Sequence, residues 1–290
     1  MFQSFEVASR PDQGPPRLQA LHEAMAAAGV DGFLIPRADA HQGEYVAARD
    51  ERLKWLTGFT GSAGFCVALQ SVAGVFIDGR YRTQVKSQVA LDHFTPVPWP
   101  ETSMADWLRD QLPNGGVVGF DPWLLTPVQI EAAEAALAGT GISFQRCDNL
   151  VDQIWEDQPD APMAPAKIHP LEFAGESHAD NRRRLGAALT DVGASCAVIT
   201  LPDSLCWLLN IRGADIAHNP VAHGFAVLQG DGQVDLFMDA RKLAEVSDHL
   251  GPDVTPHAPA DLLAVLNTLE GPVLLEKSSA PIAVADALGD

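Results

Sequence analysis

Residues 49–81 read RDERLKWLTGFTGSAGFCVALQSVAGVFIDGRY, and this stretch decides the fold of the chain. Apolar residues crowd into two short runs, 65–69 and 75–77, which the bounding glycines mark as two strands joined by a turn. Glycines at 58, 61 and 64 precede the first run and predict a loop whose backbone approaches other groups closely or acts as a hinge. Asp78 and Arg80 end the second run, and a helix-like segment follows them, so Arg80 is predicted to lie on a strand-to-helix loop.

The pair Asp78 and Arg80 allows two interpretations. Loops at strand ends are where α/β proteins keep binding and catalytic groups, which favours a functional role. The same two side chains could instead pair with each other or cap the next helix. The pattern alone leaves both interpretations open.

The segments on either side of this stretch predict an α/β domain. A helix with apolar residues at helical spacing ends at Gly29, and the strand GFLIP follows it. Further along, the strand VVGFD leads into a helix with Thr126 as N-cap and Pro127 at its first position. Strands alternating with helices predict a mostly parallel or mixed sheet that is covered on both faces.

The same pattern then begins again. Residues 156–170 are rich in Pro, Asp and Ala and read as a linker. Beyond them, CWLLNIRGAD matches KWLTGFTGSA, and VDLFMDARKL matches GVFIDGRYRT, with Asp239 and Arg241 standing where the first copy has Asp78 and Arg80. The chain is therefore predicted to hold two copies of one domain, at residues 1–157 and 173–290, joined by a Pro-rich linker at 158–172.

Composition limits the partners of the protein. The 290 residues are 47% hydrophobic and 20% charged, an ordinary globular balance with length for about two domains. The net charge of −19 disfavours nucleic acid as a partner, and neither a basic face for a membrane nor an apolar run long enough to span one stands out. Four widely spaced cysteines without a C-x-x-C pair predict buried thiols in a reducing, cytoplasmic compartment.

Two polar clusters are candidate sites. Asp39, His41 and Glu44 include metal-ligand residue types but lack the spacing of a helix-borne metal site, so a structural hydrogen-bond network is the favoured interpretation. The segment AHNPVAHGF contains His218 and His223, and it predicts either an ordered loop near a binding region or a Pro-containing turn with hydrogen-bonded histidines. The motifs G-x-S-x-G, H-E-x-x-H and G-x-x-x-x-G-K-[ST] are absent, and GFTGSAG is not the dinucleotide fingerprint.

Several long motifs carry a resemblance to a known family. DAHQGEY, RLKWLTGFTGSAGFCVAL and FIDGRY in the first copy, with SLCWLLNIRGADIAHNPV and LFMDARKL in the second, resemble the two N-terminal domains of cytosolic three-domain Xaa-Pro aminopeptidases. These enzymes, also called aminopeptidase P, belong to the creatinase/prolidase superfamily. The resemblance covers almost the whole chain in the right order, although Gly43 stands where the family usually has Ser.

The resemblance implies an architecture and an activity. It implies an α/β fold of two tandem creatinase N-terminal-like domains, each a mixed, mostly six-stranded sheet with helices on both faces. The family removes the N-terminal residue from peptides whose second residue is proline, using two divalent ions, usually manganese. A C-terminal pita-bread domain that follows these two domains holds those ions, so this chain is expected to bind no metal, to contain no catalytic residue and to be inactive alone.

The resemblance also implies the role of this part of the protein. We expect it to shape and gate the cleft for proline-containing peptides, beside its own C-terminal catalytic domain, in a cytoplasmic homodimer that binds no nucleic acid or membrane. In this family the Arg of the DGR motif contacts bound peptide, which makes Arg80 the expected substrate contact. Its neighbours Asp78 and Tyr81 are further candidate substrate-binding residues, which would orient it. Asp239 and Arg241 are expected to serve structure. The alternative is a stand-alone peptide-binding or interaction module that kept the fold and lost the catalytic domain.

Overall fold

The structure is a computed structural model that describes residues 9–289, and the chain divides into two compact units. The first unit comprises the chain up to Ala38 together with Ala48–Pro159. The second unit comprises Asp39–Ala47 and the chain from Asp160 onward. The predicted first domain begins with residues 1–8 and the predicted second domain ends at residue 290, and both of these stretches lie outside the described residues.

The first unit is built on a six-stranded mixed sheet. Its strands are β1 (Gly32–Pro36), β2 (Gly64–Leu69), β3 (Ala73–Ile77), β4 (Phe94–Pro98), β5 (Gly116–Phe120) and β6 (Ile142–Arg146). They are ordered β4-β3-β2-β1-β5-β6, and β2 is antiparallel to both of its neighbours while the other pairs are parallel. The carboxyl ends of five strands therefore share one edge of the sheet with the amino end of β2.

Helices cover both faces of this sheet, as predicted. They are α1 (Gly14–Ala28), α2 (Arg52–Thr57), α3 (Val85–Gln88), α4 (Met104–Gln111), α5 (Pro127–Ala136) and α6 (Leu150–Ile154). Val75 and Ile77 of β3 join the core formed with α1, α2 and α6. Phe76, between them, points to the other face, because side chains alternate along a strand, and its ring meets Trp107 of α4 at 5.5 Å.

The sequence signal for the start of α5 is confirmed in detail. The Thr126 hydroxyl accepts from the Gln129 backbone N–H, and the Gln129 side chain accepts from the Thr126 backbone N–H, which completes a capping box. Pro127 occupies the first helical position, where its missing N–H costs nothing.

The second unit repeats this topology with one strand fewer. Its strands are β7 (Lys167–Ile168), β8 (Cys196–Ile199), β9 (Ile211–Arg212), β10 (Phe225–Gln229), β11 (Val234–Phe237), β12 (Val254–His257) and β13 (Val273–Leu274). The main sheet is ordered β12-β11-β10-β8-β13, and β10 is its antiparallel member, as β2 is in the first unit. Among the described residues this sheet has five strands, where the first has six, and the counterpart of β6 is the one that it lacks. Strands β7 and β9 pair separately.

The second unit also contains helices, as the first does. They are α7 (Leu171–Ala174), α8 (His178–Asp191), α9 (Pro202–Leu208), α10 (Ser247–Leu250), α11 (Leu262–Leu266) and α12 (Ile282–Leu288). Within residues 9–289 no helix is both long and apolar enough to cross a bilayer. Cys66, Cys196 and Cys206 are buried free thiols, and Cys147 is partly buried.

Candidate functional site

The DGR turn lies at the shared edge of the first sheet. Asp78 follows the carboxyl end of β3 and caps a short 3-10 turn, Gly79–Tyr81. Its carboxylate accepts from the Arg80 backbone N–H at 2.9 Å and from the Arg80 Nε at 2.8 Å. These bonds lower the pKa of Asp78, so the pair stays ionised at neutral pH. Asp78 and Arg80 therefore pair with each other, as the structural interpretation expected. The Arg80 side chain is nevertheless 66% exposed to solvent.

Tyr81 supports Arg80 from a second side. The Arg80 guanidinium carbon lies 5.4 Å from the centre of the Tyr81 ring, within cation–π range. The Tyr81 hydroxyl shares a 2.6 Å hydrogen bond with Ser62 Oγ, and this bond lowers the pKa of Tyr81. The ring also meets Phe59 edge to face at 5.6 Å. The structure thus brings Asp78, Arg80 and Tyr81 together and adds Ser62 to them.

The glycine-rich loop before β2 needs its glycines for steric reasons. Gly58 ends α2 with φ of 86°, in the left-handed region that glycine adopts without strain. A Cβ on Gly61 would lie 2.2 Å from the Phe59 ring. The spacing therefore reflects close approach within the loop, which was one of the two predicted roles of these glycines.

Polar side chains fix this loop on both sides of Ser62. The Thr60 N–H donates to Gln88 Oε1 at 3.0 Å, and the Thr60 hydroxyl accepts from the Gln88 and Gln84 amides at 2.7 and 3.1 Å. The Arg37 Nη1 donates to the Ser62 carbonyl at 3.1 Å. Ser62 and Arg37 were not identified from the sequence, although the small residues between the glycines were the signal for close contacts there.

The second copy forms the same turn with different supports. Asp239 caps the turn Ala240–Lys242 and accepts from Arg241 N, Nε and Nη2 at 2.8–2.9 Å, and these bonds lower its pKa to about 2. The next residue, Lys242, forms a buried ion pair with Asp215, at side-chain exposures of 3% and 0%. Asp215 also accepts from the Ala164 backbone, so this pair ties the turn to the linker region.

The two polar clusters singled out in the sequence partly meet in the second unit. Asp39 accepts from the His41 backbone N–H, and His41 Nδ1 lies 3.1 Å from the Thr200 carbonyl oxygen. The ring of His41 lies 4.4 Å from those of His223 and Phe225. His223 Nε2 lies 3.7 Å from an Asp39 carboxylate oxygen. Asp39 and His41 are thus hydrogen-bonded, as the favoured interpretation of their cluster expected, and His223 and Phe225 pack against the His41 ring.

The remaining members of the predicted clusters lie elsewhere. Glu44 and His218 are exposed. Among residues 9–289, no group of three or more His, Cys, Asp or Glu side chains has the arrangement of a metal-ligand set. The described residues therefore do not fit a two-metal hydrolytic centre.

Comparison with known proteins gives matches along the whole chain. Two family models, both described as creatinase/prolidase N-terminal domain, match residues 17–154 and 157–290. A probable Xaa-Pro aminopeptidase P of Coccidioides posadasii is 37% identical over 255 residues, which are 86% of this chain and 39% of the relative. Aminopeptidase P1 of Lotus japonicus is 37% identical over 80% of this chain and 36% of its own length.

A solved structure matches both units. It is an X-prolyl aminopeptidase of Caenorhabditis elegans, described as a cytosolic enzyme with a di-nuclear active site. It aligns with a TM-score of 0.88 at 28% identity, covering 96% of this chain and 49% of that protein. This chain thus spans less than half the length of the relatives that it resembles.

Proposed function

Both halves of this chain belong to the creatinase/prolidase N-terminal domain family, and from this premise we propose that it is the non-catalytic N-terminal part of an Xaa-Pro aminopeptidase. The observation that carries the proposal is the structural match over 96% of the chain to an enzyme of twice its length. In such a protein the two units shape and gate the cleft that admits peptides with proline in second position. Free cysteines and the cytosolic relative support a cytoplasmic location, and the homodimer is proposed from the family resemblance alone.

The catalytic domain and its metal ions belong to the part of the protein beyond this chain. Two divalent ions, manganese in our proposal, would there activate the attacking water and stabilise the developing oxyanion. In this proposal the residues of this chain bind and orient the peptide and take no part in the chemical step.

Arg80 is the side chain that we assign to the peptide. Its Nε is held by Asp78, and its exposed guanidinium lies over Tyr81 at the edge where five strands end. A guanidinium held in this way can donate charge-assisted hydrogen bonds to a peptide carbonyl or carboxylate with little further loss of side-chain entropy. Asp78 and Tyr81 belong to the same substrate-binding site in this proposal, where they orient Arg80.

The test compares the complete aminopeptidase with this chain. The complete protein should release the N-terminal residue from Xaa-Pro peptides when divalent ions are present, and the 290-residue chain should not. The native protein in its own cells should have about twice the 30.9 kDa of this chain or more. A native species of 30.9 kDa would instead identify the stand-alone binding module.

Substitution of Arg80 tests its role. Arg80→Ala in the complete protein should lower kcat/KM for Xaa-Pro peptides by roughly 10- to 100-fold, as expected for loss of a charge-assisted contact. Arg241→Ala is the matched control, because Arg241 lies on the equivalent turn of the second copy and is bonded to the equivalent aspartate, Asp239. Equal effects of the two substitutions, or none, would remove Arg80 from the peptide site.

A further inference from the structure

The hydroxyl pair Ser62–Tyr81 joins two segments that are far apart in sequence. Ser62 belongs to the loop that enters β2, and Tyr81 ends the turn that follows β3. A 2.6 Å hydrogen bond between the two hydroxyls joins them, and the Tyr81 ring that it fixes is the surface beneath the Arg80 guanidinium. The position of Arg80 therefore depends on Ser62 through Tyr81.

The loop gives Ser62 a fixed position. Thr60, two residues before it, is bonded at both its N–H and its hydroxyl, and the Ser62 carbonyl is bonded to Arg37. The Gly61 backbone packs against Phe59, which also contacts the Tyr81 ring. Ser62 is thus an anchor for Tyr81, since the backbone on both sides of it is already held.

The second copy also bonds its turn to the corresponding loop, but with other residues. In the aligned motifs Lys242 stands at the position of Tyr81, and Asp215 stands one residue after the position of Ser62. Lys242 and Asp215 are also bonded to each other, so the tie between turn and loop recurs. In the second unit the tie is a buried ion pair, whereas in the first it is a partly exposed bond between neutral groups beside an exposed Arg.

We propose that Ser62 and Tyr81 are positioning residues of the first unit, which hold the Arg80 guanidinium in place for the peptide; this rests on the proposed function of Arg80. Asp78 fixes Nε, and the Tyr81 ring fixes the plane above which the guanidinium lies. Neither positioning residue needs to touch the substrate. Loss of either should loosen the Arg80 side chain, including its Nε bond to Asp78, and allow the guanidinium to leave its orientation.

The experiment is a double-substitution cycle in the complete aminopeptidase. Ser62→Ala and Tyr81→Phe should each raise KM for Xaa-Pro peptides about 3- to 10-fold and leave kcat within about 2-fold, which is the size of one net hydrogen bond. The KM of the double variant should be no higher than that of the single variant with the higher KM, because both substitutions remove the same interaction. Ser62→Thr keeps the hydroxyl and should restore KM.

Ser103→Ala is the matched control for a general loss of stability. Ser103 is a half-buried serine of the same unit whose Oγ caps α4 by accepting from the Asp106 N–H at 3.0 Å. Its loss should cost stability as cap removal does, and KM should not change. Equal KM changes in Ser62→Ala and Ser103→Ala would overturn the proposal, as would multiplicative effects in the double variant.

A second readout does not depend on activity. In complete protein labelled with ¹⁵Nε-arginine, the Arg80 Nε–H signal, identified with Arg80→Lys, should show a lower order parameter in Ser62→Ala and Tyr81→Phe than in wild type. An unchanged order parameter overturns the proposal whatever the kinetics, and a lower one with wild-type KM overturns its link to the peptide. If wild-type protein cleaves no Xaa-Pro peptide, the proposed function fails, and the order parameter alone decides whether Ser62 positions Arg80.

Discussion

Acidification should weaken the second unit through the imidazole of His223. Burial, followed by the neighbouring charges of His41 and Lys242, lowers the pKa of His223 from 6.5 to about 3 in the folded protein. His223 is therefore neutral in the native state at every ordinary pH. The unfolded chain takes up a proton at this residue as the pH falls below 6.5, and the native state does not. The contribution of His223 to stability is thus constant above that pH and falls as the pH drops from 6.5 toward about 3.

The magnitude follows from the two pKa values. One proton bound only by the unfolded state costs about 1.4 kcal/mol per pH unit, so acidification from pH ~7.5 to ~5 should lower the free energy of unfolding by about 2 kcal/mol. The Asp39 carboxylate, 3.7 Å from Nε2, favours the protonated ring and opposes this change. About 2 kcal/mol is therefore the upper end of the expected loss.

The assay must report on the second unit. Urea unfolding at the two pH values, followed by pulsed hydrogen exchange of peptides from β10, measures opening of the strand that begins two residues after His223. His223→Gln removes the titrating ring and should flatten the difference between the two pH values, whatever it does to stability itself. His93→Gln, at an exposed position of the first unit, should leave the pH difference unchanged. A variant lacking His223 that kept the full acid loss would refute this reasoning.

Two further predictions concern buried ion pairs. The Arg52 side chain is 6% exposed and donates two hydrogen bonds to Asp152, of 2.6 and 2.8 Å, and a third to Asp50. Arg52→Ala should therefore lower the free energy of unfolding of the first unit by about 3 kcal/mol in urea unfolding. A loss below about 0.5 kcal/mol would show that solvent already screens these charges. Lys242→Met should lower the free energy of unfolding of the second unit by roughly 3–5 kcal/mol, because it leaves the buried Asp215 carboxylate without its ionic partner. The double variant Lys242→Met with Asp215→Leu should recover most of that loss. A double variant no more stable than Lys242→Met would contradict this account.

Local sequence signals predicted the framework of both units. The runs at 65–69 and 75–77 became β2 and β3 because apolar residues between glycines have few other stable conformations. The Thr126–Pro127 signal marked the start of α5 because capping chemistry is contained within four residues. The order of motifs in the second half predicted a repeated topology, since strands that share a pattern pair in the same way.

Contacts between distant residues were beyond such signals. His41 and His223 each belonged to a cluster that stood out, but nothing local says that the rings lie 4.4 Å apart. Ser62 looked like one small residue among others until Tyr81 was placed opposite it. The mostly six-stranded sheets implied by the family resemblance are found with six strands in the first unit and five in the described part of the second, because a resemblance gives the topology and not the extent of each copy.

The segment Asp39–Ala47 has a consequence for the order of events during synthesis. It is made with the first copy, but it belongs to the second unit, where Ala47 joins the core and His41 meets the Thr200 carbonyl 159 residues further along the chain. At about 5–20 residues per second, roughly 10–30 s pass between the appearance of the two partners at the ribosome. During that interval the first unit can close its sheet while this loop, with a histidine and a carboxylate that are later buried, remains in water. Pauses in translation between codons 48 and 200 therefore lengthen the exposure of this one loop, and a chaperone that recognises the nascent chain has a defined window and a defined target.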